Sequence, residues 1–128
     1  MGSTNNCYKR FDKTAYSWDD AESFCQGENA HLASVHSDDE NSFIFGLVPD
    51  RFFLGGNDKI TEGNWTWSDG SPFDYKNWKF NADTPTDLDG NHDCMEVNNH
   101  NVVQWDNRNC TLNNDENWKF VLCKKVNL

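Results

Sequence analysis

The chain is short of positive charge. Its 128 residues hold 11 lysines and arginines against 21 aspartates and glutamates, a formal net charge of −10. A domain that grips duplex nucleic acid carries the opposite balance, so no nucleic-acid partner is expected, and an anionic membrane surface is disfavoured for the same reason. Long apolar runs are missing too. No stretch approaches the ~20 apolar residues that span a bilayer, so no membrane insertion is expected.

Signatures of catalysis are also missing. There is no Gly-x-Ser-x-Gly, no His-Glu-x-x-His and no phosphate loop, and His31, His36, His92 and His100 have no evident nucleophile beside them. The chain is therefore read as a non-enzyme. No Cys-x-x-Cys pair occurs, which sets aside zinc ribbons and thioredoxin-type motifs. Apolar residues make up only 36% and mean hydropathy is −0.89, so the core is small.

What is present points to a folded, exported domain. Six Trp, nine Phe and three Tyr bury large areas each, and disordered acidic chains lack such residues. A mass of 14.8 kDa leaves room for one domain. Cys7, Cys25, Cys94, Cys110 and Cys123 are too many for an ordinary cytosolic protein and imply a disulfide framework in a secreted or extracellular one. Sequons at Asn64 and Asn109 agree with a glycoprotein. Five is odd, so one thiol is unpaired, bonds another chain, or has lost its partner. Met1-Gly2-Ser3-Thr4 reads as an added start in place of a removed signal peptide, with residues 1–6 a linker and 7–128 the single domain.

The pattern along the chain is two helices followed by short strands and one long loop, an α+β arrangement. Cys7–Phe11 reads as an edge strand. Ser17 opens a helix whose face is Trp18, Ala21, Phe24 and Cys25, with Gly27 as its stop. His31–Val35 reads as a strand. Ser37-Asp38-Asp39-Glu40 fits a capping box for a helix that buries Phe43, Ile44 and Leu47 and ends before Pro49. Strands are expected at 51–56, 65–67, 94–97, 102–105 and 118–124. Residues 68–93 are polar and turn-rich, a length of loop that is usually functional. Phe73, Tyr75, Trp78 and Phe80 imply that it packs.

These residues resemble the C-type lectin-like domain family over nearly the whole chain. The resemblance rests on Cys7-Tyr8-x-x-Phe11, Ser17-Trp18-x-x-Ala21-x-x-x-Cys25 and Leu32-Ala33-Ser34-Val35. It continues through Phe53-Leu54-Gly55-Gly56, Glu62-Gly63-x-Trp65-x-Trp67 and Tyr75-x-Asn77-Trp78. It ends with Asp93-Cys94, Trp105-x-x-x-x-Cys110 and Phe120-x-x-Cys123. The family fold implies disulfides Cys25–Cys123 and Cys94–Cys110. It leaves Cys7 outside both, at the second position of an extra N-terminal pair found in long-form members.

The resemblance also implies Ca2+ in the long loop. The loop is rich in the oxygen ligands that calcium takes, although an EF-hand spacing is absent. One implied site uses Asp58, Glu62, Asp87, Asp93 and the backbone carbonyl of His92. The sugar-binding calcium site of the family falls on Thr84, Thr86, His92, Asp106 and Asn107. Here the sequence departs from the family. Thr84-Pro85-Thr86 replaces Glu-Pro-Asn, His92 replaces a Glu, and Trp105-Asp106-Asn107 swaps the order of Trp-Asn-Asp. Only Asp106 in that set is negatively charged. Asp83 or Asp89 are possible substitute ligands, and a zinc ion on His92 and Asp106 is a further alternative. The implied function is extracellular, calcium-dependent binding of a glycan or glycoprotein ligand. The alternative is a calcium-stabilised domain that binds a protein ligand.

Overall fold

The computed structural model describes residues 6–78, 92–97, 104–112 and 118–126. The element order is β1 (Asn6–Phe11), α1 (Trp18–Gly27), β2 (His31–Leu32), α2 (Asp38–Leu47), β3 (Phe52–Asn57), β4 (Thr66–Trp67), β5 (Cys94–Val97), β6 (Trp105–Arg108) and β7 (Val121–Val126). One sheet has the order β1-β7-β2 and the other β4-β3-β5-β6, with all pairings antiparallel.

Local chemistry starts both helices. Ser17 caps α1 by accepting the Asp20 N–H at 3.0 Å, and Asp19 and Asp20 occupy the first turn, where acids suit the helix dipole. Ser37 caps α2 by accepting the Glu40 N–H at 3.1 Å, while the Glu40 carboxylate accepts the His36 N–H at 2.8 Å, one residue earlier than in a standard capping box. Helix α1 stops at Gly27, and Asn29 takes the left-handed conformation beyond it (φ 59°).

The buried face of α2 is rotated from the expected one. Glu40, Asn41, Ile44 and Phe45 are buried, and Phe43 is 49% exposed, packing edge-on against Tyr8. Two polar residues win the inward face because each finds an internal partner. The Lys124 ammonium donates to Glu40, and the Trp105 indole N–H donates to Asn41 at 3.0 Å.

Strand boundaries also moved. The expected strand over 31–35 pairs only at His31 and Leu32, and the strand expected over 102–105 begins at Trp105 and runs on to Arg108; Val102 lies outside the described residues. Beyond Leu32 the backbone still approaches β3 closely. The Gly55 N–H donates to the Ala33 carbonyl at 2.8 Å, and a Cβ on Gly55 would stand 2.8 Å from the Leu32 carbonyl oxygen, so only glycine fits.

Two disulfides staple this frame, Cys25–Cys123 between α1 and β7 and Cys94–Cys110 between β5 and the segment after β6. These are the pairs the family resemblance implied. Cys7 is exposed on β1, outside both.

Candidate functional site

The acidic cluster is made by the turn that follows β3. Asp58 is buried, its N–H donates to the Asp93 carbonyl at 3.0 Å, and its Oδ2 accepts the Gly63 N–H at 2.8 Å. The second bond closes the turn, which Gly63 completes in the left-handed region (φ 82°). The turn carries Glu62 back over Asp58. Carboxylate oxygens of Asp58, Glu62 and Asp93 then lie within 4.8 Å of one another.

That spacing has a direct chemical meaning. Calcium holds its oxygens at about 2.3–2.6 Å, so oxygens sharing one ion lie no more than about 5 Å apart. Without a cation, each pair of close carboxylates repels by roughly 4 kcal/mol at an effective dielectric near 20. Asp58 Oδ1 is also buried with no hydrogen-bond partner. A buried oxygen left without a partner is costly, and a divalent cation supplies one. The three residues therefore fit calcium. Asp87, the fourth carboxylate of the expected set, lies outside the described residues, as do Thr84 and Thr86.

The remaining residues of the expected sugar site meet elsewhere. His92, Asp106 and Asn107 line one polar pocket of about 340 Å³, together with Arg51, Glu96 and Arg108. Strand β6 pairs with β5 so that Asp106 sits across from Glu96 and Asn107 across from Met95. With a single carboxylate among His92, Asp106 and Asn107, these side chains fit calcium much less well than the acidic cluster does.

Arg51, Glu96 and Arg108 were not singled out from sequence. Glu96 is buried, and Arg51 Nη2 donates to both its oxygens at 2.7 and 2.8 Å, with Arg108 Nη1 at 3.7 Å. Burial raises the Glu96 carboxyl above its ordinary value, against the pull of the two arginines. The sequence signal was a charged residue at an inward position of Cys94-Met95-Glu96-Val97, a strand buried along its whole length. Such a residue demands an internal partner.

The entrance to the long loop is held by aromatics and a polar lattice. Trp78 packs edge-on against Trp65 and Trp105, and Phe73 stacks on Trp67. The Trp105 N–H donates to the Asn77 carbonyl at 2.9 Å, which joins the loop to β6. Phe73, Tyr75 and Trp78 thus pack as expected, and Phe80 lies outside the described residues. His36 bridges Asp74 at 2.7 Å and Ser71 at 3.0 Å. Asp69 accepts from the Ser34 and Ser71 hydroxyls, each at 2.5 Å.

A family model for the lectin C-type domain matches residues 14–127. The chain belongs to the C-type lectin family. The family is non-enzymatic and includes carbohydrate-binding lectins, and C-type lectin domains generally bind Ca2+. Ladderlectin of Oncorhynchus mykiss is 38% identical over 78% of this chain and 55% of its own length. A lectin of Pleurodeles waltl is 32% identical over 93% of this chain and 70% of its own length. The chain thus spans little more than half of ladderlectin. Among solved structures, a calcium-independent type II antifreeze protein matches with a TM-score of 0.79 and 29% identity, covering 100% of this chain and 92% of that one. No helix of the described residues is long and apolar enough to cross a membrane.

Proposed function

We propose that this C-type lectin domain works outside the cell, binds calcium at the acidic cluster and uses the adjoining surface to bind a glycan. Asp58, Glu62 and Asp93 hold the ion, with Asp87 and the His92 carbonyl completing the set. The observation that carries this reading is the buried Asp58 Oδ1, which has no hydrogen-bond partner and stands beside two further carboxylates. The bound ion neutralises the cluster and orders the turn. Asp106 and Asn107 then offer an acceptor and an amide to sugar hydroxyls, with His92, Thr84 and Thr86 as the other contacts. The two disulfides and the family membership support an extracellular place of work.

The test is a glycan array probed with and without calcium. Calcium-dependent binding to defined glycans supports the reading. Calcium-stimulated thermal stability with no glycan bound on the array would instead mean a calcium-stabilised domain that binds a protein.

A further inference from the structure

Two sequons, at Asn64 and Asn109, play no part in the acidic cluster or the sugar contacts. The second stands where a modification has a consequence. Asn109 and Thr111, the first and third residues of Asn109-Cys110-Thr111, are both exposed, and both line the polar pocket that holds His92, Asp106 and Asn107. Asn64 is exposed too, but it follows the acidic turn and is not among the residues lining that pocket.

The fold fixes where a group on Asn109 would lie. On one side Arg108 pairs with Cys94 in β5, and on the other Cys110 is bonded to the same Cys94. The chain beyond is pinned as well. The Trp18 N–H donates to the Cys110 carbonyl at 2.8 Å, and the Leu112 N–H donates to the Tyr16 carbonyl at 3.0 Å. The Asn109 Oδ1 accepts the Thr111 N–H at 3.0 Å. That bond occupies the oxygen of the amide and not the nitrogen, the atom to which a glycan is joined. A sugar on Asn109 is thus held at the rim of the pocket instead of being carried off on a free loop. At about 340 Å³ the pocket is at the small end for a ligand site, so a bulky group at its rim covers much of the opening.

We propose that Asn109 carries an N-glycan whose first sugars lie across this pocket, so that the modification decides whether Asp106 and Asn107 are open to an outside ligand. The donor is a lipid-pyrophosphate oligosaccharide of the secretory route. Asn109 Nδ2 forms a bond to C1 of its first N-acetylglucosamine, the C1–O bond to pyrophosphate breaks, and the lipid pyrophosphate leaves with the proton that the amide gives up. The consequence rests on the glycan-binding reading; the modification and its position do not.

The protein is secreted from insect cells as parent, Asn109→Gln, Thr111→Ala and Asn64→Gln, and peptide mapping reads the occupancy of each sequon. Diethyl pyrocarbonate labelling of His92, with His31 on β2 as internal reference, reads access to the pocket without any ligand. A glycan array in calcium reads binding. The expected result is an occupied Asn109, and faster His92 labelling in Asn109→Gln and Thr111→Ala, which lose the glycan through different residues. Glycan affinity should rise about tenfold in both, the worth of one charge-assisted hydrogen bond regained. Asn64→Gln should change neither readout. Trimming the folded parent to its first sugar with an endoglycosidase alters no residue and should raise the labelling partway, which keeps the test open where a variant is not secreted. An unmodified Asn109 overturns the proposal, as does His92 labelling that is unchanged without the glycan or that rises equally in Asn64→Gln. Faster labelling with equal glycan affinity in every form overturns the control of binding, because the sugar then binds elsewhere. Faster labelling with no glycan bound by any form leaves the cover over the pocket standing and defeats the glycan-binding reading alone.

Discussion

The Lys124 ammonium lies 2.5 Å from the Glu40 carboxylate, and both side chains are buried between α2 and β7. The pair is not isolated. Lys124 also donates to the Ser34 carbonyl and hydroxyl at 3.0 Å each, and Glu40 accepts from the Tyr8 hydroxyl and the His36 N–H. These bonds tie the first strand, the second helix and the last strand into one buried polar knot.

Removing one partner strands the other charge in a dry site. Lys124→Met should destabilise the domain by about 3–5 kcal/mol. A loss of that size lowers the melting temperature by roughly 10–20 °C in a domain of this length. The double change Lys124→Met, Glu40→Leu should recover part of the loss, because no charge is then left alone. Thermal melts of the three proteins check this. A single mutant as stable as the parent means the pair is not desolvated.

The knot also shows where sequence reading reached its limit. Caps and helix starts were legible because Ser17 and Ser37 act on backbone groups within three residues. The two disulfides came from the order and spacing of the family motifs, and the Asp58–Glu62 pair from its four-residue spacing in the same frame. The inward face of α2 was not legible. Glu40 and Asn41 are polar, and only contacts with Lys124 and Trp105, 84 and 64 residues away, make their burial tolerable. The same holds for Arg51 and Glu96, which are 45 residues apart and gain their meaning only when β3 pairs with β5. Thr84, Thr86 and Asp87 lie outside the described residues, so that part of the expected site stays a proposal.

The two disulfides should differ in weight. Cys25–Cys123 spans 98 residues and Cys94–Cys110 spans 16. Loop-closure entropy in the unfolded chain gives roughly 4–5 kcal/mol for the longer loop and about 3 for the shorter. Paired serine substitutions should therefore lower the denaturant midpoint more for Cys25 and Cys123 than for Cys94 and Cys110. The reverse order would show that native-state contacts around β5, not chain entropy, set the difference.

Acid should loosen the lattice around Asp69. Burial would push this carboxyl up, but hydrogen bonds from Ser34 and Ser71 outweigh it and hold the group below its ordinary value. A carboxyl depressed in the folded state adds stability above its unfolded value, near about 3.9, and that stability drains away as pH falls toward the folded value. Asp69→Asn should thus melt well below the parent at pH 6, and the gap should close as pH drops below about 4. Melting curves across that range, compared between the two proteins, remove the contribution of every other carboxyl. A gap that stays constant with pH would place the cost of the mutation in packing instead.

Calcium should act through the acidic cluster and not through Asp106. Asp58, Glu62 and Asp93 bring three carboxylates within one coordination distance, and repulsion among them opposes folding until a cation arrives. An ion that binds only the native state stabilises it by mass action, by about 2.7 kcal/mol at a hundredfold excess over its dissociation constant, and so raises the melting temperature. Asp58→Asn with Glu62→Gln should remove most of that rise. It should also make the chelated protein no less stable than the parent, since the repulsion is gone. Asp106→Ala lies in a set with no other carboxylate from His92 or Asn107, so it should leave the calcium effect nearly intact while weakening sugar binding. Calorimetric titration and melts of the parent and both variants decide the matter. Loss of the calcium effect in Asp106→Ala, with the effect retained in the double variant, would mean that the stabilising ion sits at the Asp106 edge and the two sites have been assigned the wrong way round.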